Sequence, residues 1–116
     1  MYIVYYRGGN PKNKTRWFRM NAKFESKEEK LFIDGKEVIR GWESFSGWYW
    51  FATEICEKQD SVMGDGQVVE NDQMFFGLVQ GFEEEWGYWT LAQLKECGNK
   101  VWGIPKKNLP FSGRRN

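Results

Sequence analysis

Apolar and polar positions along this chain alternate in short runs with the period of strands, not helices. The clearest local signal is Leu31-Phe32-Ile33, then Asp34-Gly35, then Lys36-Glu37-Val38-Ile39. Asp-Gly accepts positive φ at both central positions and predicts a two-residue hairpin turn. Gly47 to Ile55 (Gly-Trp-Tyr-Trp-Phe-Ala-Thr-Glu-Ile) puts Trp48, Trp50 and Ala52 on one face and Tyr49, Phe51 and Thr53 on the other. Both faces are apolar, which predicts a central strand covered on both sides. Met74 to Gln80 has the same character. Tyr2 to Tyr6 and Thr15 to Met20 predict two further strands, separated by Gly8-Gly9-Asn10-Pro11. Residues 21 to 30 are polar and predict a loop or a helical turn. Residues 56 to 73 hold Asp60, Asp65, Glu70 and Asp72 with Gly64 and Gly66. They predict a long acidic loop with a short strand at Val68-Val69. Val101 to Ile104 predicts a last strand, stopped by Pro105.

One helix is expected, near 91–97. Thr90 can cap it while Gln93 reaches back, and Trp89 before the cap can staple to Leu94. Leu91, Leu94 and Cys97 recur three apart, and Gly98 suits the position after the last turn. A helix of this size is about 12 Å long and covers only part of one sheet face. The elements therefore predict an α+β fold in a single domain over residues 1–116. Its core is a mainly antiparallel, twisted sheet of about five to seven strands, curled toward a half-barrel. Residues 112–116 are expected as a loose tail.

Composition narrows the class. The chain has 116 residues, 41% hydrophobic and 28% charged, outside the range of disordered or collagen-like chains. No apolar run approaches the roughly 20 residues of a membrane helix, so no membrane partner is expected. Tyr2 to Arg7 lacks the form of a secretion signal. Cys56 and Cys97 belong to no Cys-x-x-Cys pair and are expected as reduced thiols in a cytoplasmic protein. There is no histidine, which excludes hydrolases with a histidine base and histidine-ligated metals.

Charge is segregated. Residues 1 to 23 carry six cations and no acid, and residues 98 to 116 carry five cations and no acid. The stretch between them holds all 16 acids against six cations. If the two ends lie together, the protein has a basic side and an acidic side. In the N-terminal segment Arg7, Lys12, Lys14, Arg16 and Arg19 interleave with Trp17 and other aromatics. This is the composition of a single-strand nucleic-acid groove, and equally of a strand with one buried aromatic face. The acidic loop does not fit a calcium loop, because counting from Asp60 the alternate ligand positions are Val62 and Gly64. No dinucleotide or phosphate-binding glycine motif is present. No metal or cofactor is expected. Glu54 should share a face with Trp48 and Trp50, and a carboxylate among indoles is one place for an acid or base. The alternative is that the strand simply emerges into solvent there.

Seven Trp, five Tyr and nine Phe are more aromatic side chains than a core this small easily holds. Some of Trp42, Phe45, Trp86 and Trp89 are expected to be partly exposed near Glu83, Glu84 and Glu85, and together these residues form the candidate patch. Such a patch, aromatic at the centre and acidic at the rim, suits a basic protein partner or a homodimer.

Several ordered motifs carry a resemblance. They are Gly47 to Glu54; Asp72-Gln73-Met74-Phe75-Phe76-Gly77-Leu78-Val79-Gln80-Gly81; Glu84-Glu85-Trp86-Gly87-Tyr88-Trp89-Thr90-Leu91; and Gly103-Ile104-Pro105 followed by Leu109 and Phe111. Over about residues 45–111 the chain resembles the bacterial domain-of-unknown-function family 2958. The resemblance implies a small protein encoded on plasmids, phages or integrative elements, often near anti-restriction and conjugation genes. That family has no established activity, so it lends no catalytic residue. Three functions are then open: a non-enzymatic protein-binding module that interferes with host defence, a nucleic-acid-binding module using the basic N- and C-terminal segments, and a metal-dependent enzyme using Glu54 or the acidic loop. The lack of histidine and of ligand spacing points away from the enzyme.

Overall fold

The computed structural model describes residues 22–114. The strands expected at 2–6 and 15–20, and with them Arg7, Lys12, Lys14, Arg16, Trp17 and Arg19, lie outside the described residues. The first described strands are β1 (Phe24–Lys27), β2 (Lys30–Ile33) and β3 (Lys36–Glu37), paired antiparallel in that order. Asp34 and Gly35 join β2 to β3 with φ of 51° and 80°, the left-handed pair that the dipeptide predicts. The β1–β2 turn makes the same demand on Glu28 and Glu29, at φ of 51° and 64°. Glutamates give no hint of such a turn, which is why residues 21–30 looked like a loop. A left-handed non-glycine residue costs about 1–2 kcal/mol, part of which glycine returns as lost backbone freedom. Glu29→Gly is therefore expected to raise the unfolding free energy by about 0.5–1 kcal/mol. The change is read as a higher urea midpoint at unchanged slope; a lower midpoint would show that the turn is not strained.

The larger sheet contains β4 (Arg40–Ser44), β5 (Tyr49–Val62), β6 (Val68–Gln80), β7 (Glu84–Thr90) and β8 (Val101–Gly103), in the order β7-β6-β5-β4-β8. All neighbours are antiparallel. The sheet does not close, and β7 and β8 are its edges among the described residues. Phe51 and Leu78 on one face are buried with Leu31, Ile33 and Val38 of the small sheet segment, and with Ile104 and Leu109. A second sheet thus supplies much of the cover expected from curling. The opposite face buries Trp42, Trp50, Ala52, Phe75, Val79 and Trp89 together with Leu94 of the helix. The fold is mainly β, with few and short helices.

The helix, α1 (Leu91–Lys95), begins as its sequence predicts. Gln93 N donates to Thr90 Oγ1 at 3.3 Å, and Thr90 N donates to Gln93 Oε1 at 3.0 Å. Asp72 adds a third acceptor: Ala92 N donates to its Oδ1 at 2.9 Å. With Thr90 it satisfies two of the backbone donors that a helix start leaves open.

The largest departure from the sequence expectation lies at residues 56–73. They are not a loop. β5 and β6 continue past the packed body as a two-stranded ribbon, turned by residues 63–67. Most of its side chains are exposed on both faces, so no apolar alternation marks it, and the backbone ladder alone carries the strands on. Register shifts interrupt it between Ala52 and Glu54, Ile55 and Lys58, and Gln59 and Ser61. Its tip leans on the end of α1, where Gly64 N donates to Glu96 Oε2 at 3.2 Å.

The first shift moves Glu54. Ala52 lies opposite Gly77 and Glu54 opposite Phe76, and opposed residues share a face. Thr53 is the extra residue of a bulge. Glu54 therefore sits on the Phe51 face, away from Trp48 and Trp50, and is exposed. The carboxylate among indoles that alternation predicts does not form.

Candidate interaction surface

Tyr49 lies opposite Gln80, and Gln80 opposite Glu84. The β4–β5 turn at residues 45–48 and the β6–β7 turn at 81–83 therefore share one end of the sheet. Gly81 is buried, and the Trp48 ring occupies the space a Cβ at Gly81 would need. Phe82 stands on that base with its ring 5.1 Å from Trp48, edge to face, and is 93% exposed. Trp48 in turn lies 6.1 Å from the buried Trp50. A row of rings thus runs from the core to a fully exposed tip. Phe45, 85% exposed, lies in the neighbouring turn, where its N–H donates to Lys100 O at 2.8 Å. Glu83 is exposed beside Phe82, and Glu85 is half-buried.

This surface differs in membership from the one the sequence suggests. Trp42 (4% exposed) and Trp89 (0%) are core. Strand alternation turns both inward, and the Arg40 guanidinium lies over the Trp42 ring at 4.7 Å. Trp86 is half-buried and lies opposite Leu78, on the other face from Trp50. It stacks on Phe76 at 5.9 Å beneath Lys36 Nζ at 4.8 Å. Glu84 faces inward as a structural acceptor. Its carboxylate takes Ala22 N at 2.9 Å and Gln80 Nε2 at 2.5 Å. Buried Gln80 also accepts from Arg114 N at 2.8 Å and donates to Arg114 O at 2.9 Å, while the Arg114 guanidinium donates to Gly81 O. The expected tail is therefore pinned as far as Arg114. Phe45, Glu83 and Glu85 remain at the surface, joined by Phe82 and Trp48. Phe82 was legible in one respect: a bulky apolar residue between Gly81 and Glu83, in a tight turn, has no core to enter.

Three acids of the ribbon act as acceptors for backbone N–H groups. Asp65 Oδ1 accepts from Gln67 N at 3.0 Å, Asp60 Oδ1 from Asn71 N at 3.1 Å, and Asp72 caps α1. Among the described residues no three metal-ligating side chains come together, and no helix is long and apolar enough to cross a membrane.

Comparison of the chain with protein-family models, with curated proteins and with solved structures finds no match. Asp72 and Thr90 cap the helix, and Gly77 lies opposite Ala52 beside the bulge in β5.

Proposed function

We propose that this chain is a non-enzymatic protein-binding module of a mobile genetic element or phage. It acts in the cytoplasm and interferes with host defence by occupying a host protein. One observation carries the binding role: Phe82 is held almost fully exposed on a rigid aromatic base, with Phe45 near and Glu83 at its side. Exposed aromatic anchors on a fixed scaffold are what interface hot spots are made of, and the acidic rim selects a basic partner. The mobile-element setting is what the resemblance implies. A photo-crosslinking side chain at position 82, in cells carrying the natural gene neighbourhood, is expected to trap one protein species. The same group at position 57 on the ribbon should not trap it, and Glu83→Lys should reduce the yield several-fold. Equal trapping from both positions would remove the proposal. A second copy of the chain as the trapped species would make it a homodimer contact instead.

A further inference from the structure

Among the described residues the exposed large apolar side chains are Phe45, Ile55, Val62, Val68, Phe82, Trp102 and Phe111. They sort by chemistry. Of the aliphatic ones, Val62 and Val68 lie on the acidic ribbon and Ile55 at its base, and the aromatic ones lie on the body. Two of these, Trp102 and Phe111, fall in the segment 98–114, which carries Lys100, Lys106, Lys107 and Arg114 and no acid.

That segment starts on the edge of the larger sheet and then crosses to the small one. β8 is the outer strand beside β4, and Ile104 N donates to Gly41 O at 2.8 Å, carrying the chain along the same edge. A 3₁₀ turn follows at Lys106–Phe111. Leu109 and Pro110 are buried, Leu109 within the core shared with β2, and Ser26 Oγ donates to Pro110 O at 3.1 Å. With these two turned inward, Lys106, Lys107 and Phe111 are turned outward, Phe111 at 86% exposure. Trp102 is fixed in place by its Nε1–H, which donates to Glu43 Oε1 at 2.9 Å. Two exposed rings and three lysines thus recur along this one basic rim segment.

We propose that this rim, Lys100–Trp102–Lys106–Lys107–Phe111, binds single-stranded nucleic acid. The ammonium groups meet phosphates and the two rings stack on unpaired bases. Charge complementarity selects a polyanion. Exposed rings interspersed with lysines favour stacked bases over an acidic protein, and the segment offers no helix to enter a duplex major groove. Its rings, Trp102 and Phe111, are not members of the Phe82 surface, although Lys100 O accepts from Phe45 N where the two meet, and each proposal is tested by its own variants.

The test is fluorescence anisotropy of a labelled oligothymidine of about 15 nucleotides with the full chain, at salt from about 50 to 200 mM. Saturable binding is expected that weakens steeply with salt. Phe111→Ala should weaken it about tenfold, as loss of one stacked base requires, and Phe111→Tyr should restore it. Lys106→Ala with Lys107→Ala should flatten the logarithmic salt slope by about 1.4. Phe82→Ser should bind like the parent. Four results would each overturn the proposal: no binding at about 50 mM salt; parental binding by both the Phe111→Ala and the double-lysine variants; a duplex bound as tightly as the single strand; or polyglutamate competing as well as the oligonucleotide.

Discussion

Gly77→Ala is expected to lower the unfolding free energy by at least about 3 kcal/mol, the upper end of the usual cost of overpacking. Gly77 sits in β6 opposite Ala52, immediately before the bulge in β5. A Cβ there would run into the carbonyl oxygen of Phe51 and come within 2.8 Å of both the Phe51 carbonyl carbon and Ala52 Cα. All three are backbone atoms of the central strand, so no side chain can swing away to make room. Either the two central strands part or the ladder is lost locally, and both faces of the core rest on those strands. Gly103→Ala is the control, because its Cβ would meet nothing nearer than Trp42 Cδ1 at 4.0 Å. Urea unfolding followed by tryptophan fluorescence should separate the two clearly. A cost below about 1 kcal/mol for Gly77→Ala would show that the bulge opens freely and that the close approach is not required.

Trp89→Ala should cost about 3–5 kcal/mol, as truncation of a large core aromatic does. Trp89 is fully buried, with its ring 6.2 Å from both Trp42 and Phe75. It is also the residue before the helix cap, in one cluster with Leu94, so its removal loosens α1 as well as the sheet face. A domain of this size commonly has 5–15 kcal/mol in total, so this variant should lose a large share of its stability and unfold at a much lower urea concentration. Phe82→Ser, removing a ring of similar character from the exposed turn, should shift the urea midpoint little. The opposite pattern, a stable Trp89→Ala protein and an unfolded Phe82→Ser protein, would reverse the assignment of core and surface.

What the sequence discloses depends on whether the signal is local. The Asp34-Gly35 turn and the Thr90–Gln93 cap are set by residues within a few positions, and both form as their residue types predict. The two central strands were legible from their doubly apolar runs. Three features were not. The ribbon beyond Ile55 has polar residues on both faces, so nothing in its hydropathy separates a strand from a loop. The bulge at Thr53 is fixed by how β5 meets Gly77, a contact 24 positions away, and it alone decides where Glu54 points. The separation of exposed from buried aromatics follows from strand order. Trp42 and Phe82 look alike as sequence, yet one faces Trp89 and Phe75 across the sheet and the other tops a turn.

The Gln80–Glu84 pair has a consequence for the chain as a piece of construction. Ala22 and Arg114, the first and last described residues, are both tied to it, so two distant points of the chain are held at one place. The pair works as a clasp: Glu84→Ala would release the Ala22 stretch and Gln80→Ala the Arg114 stretch, each freeing one length of chain from the end of the sheet.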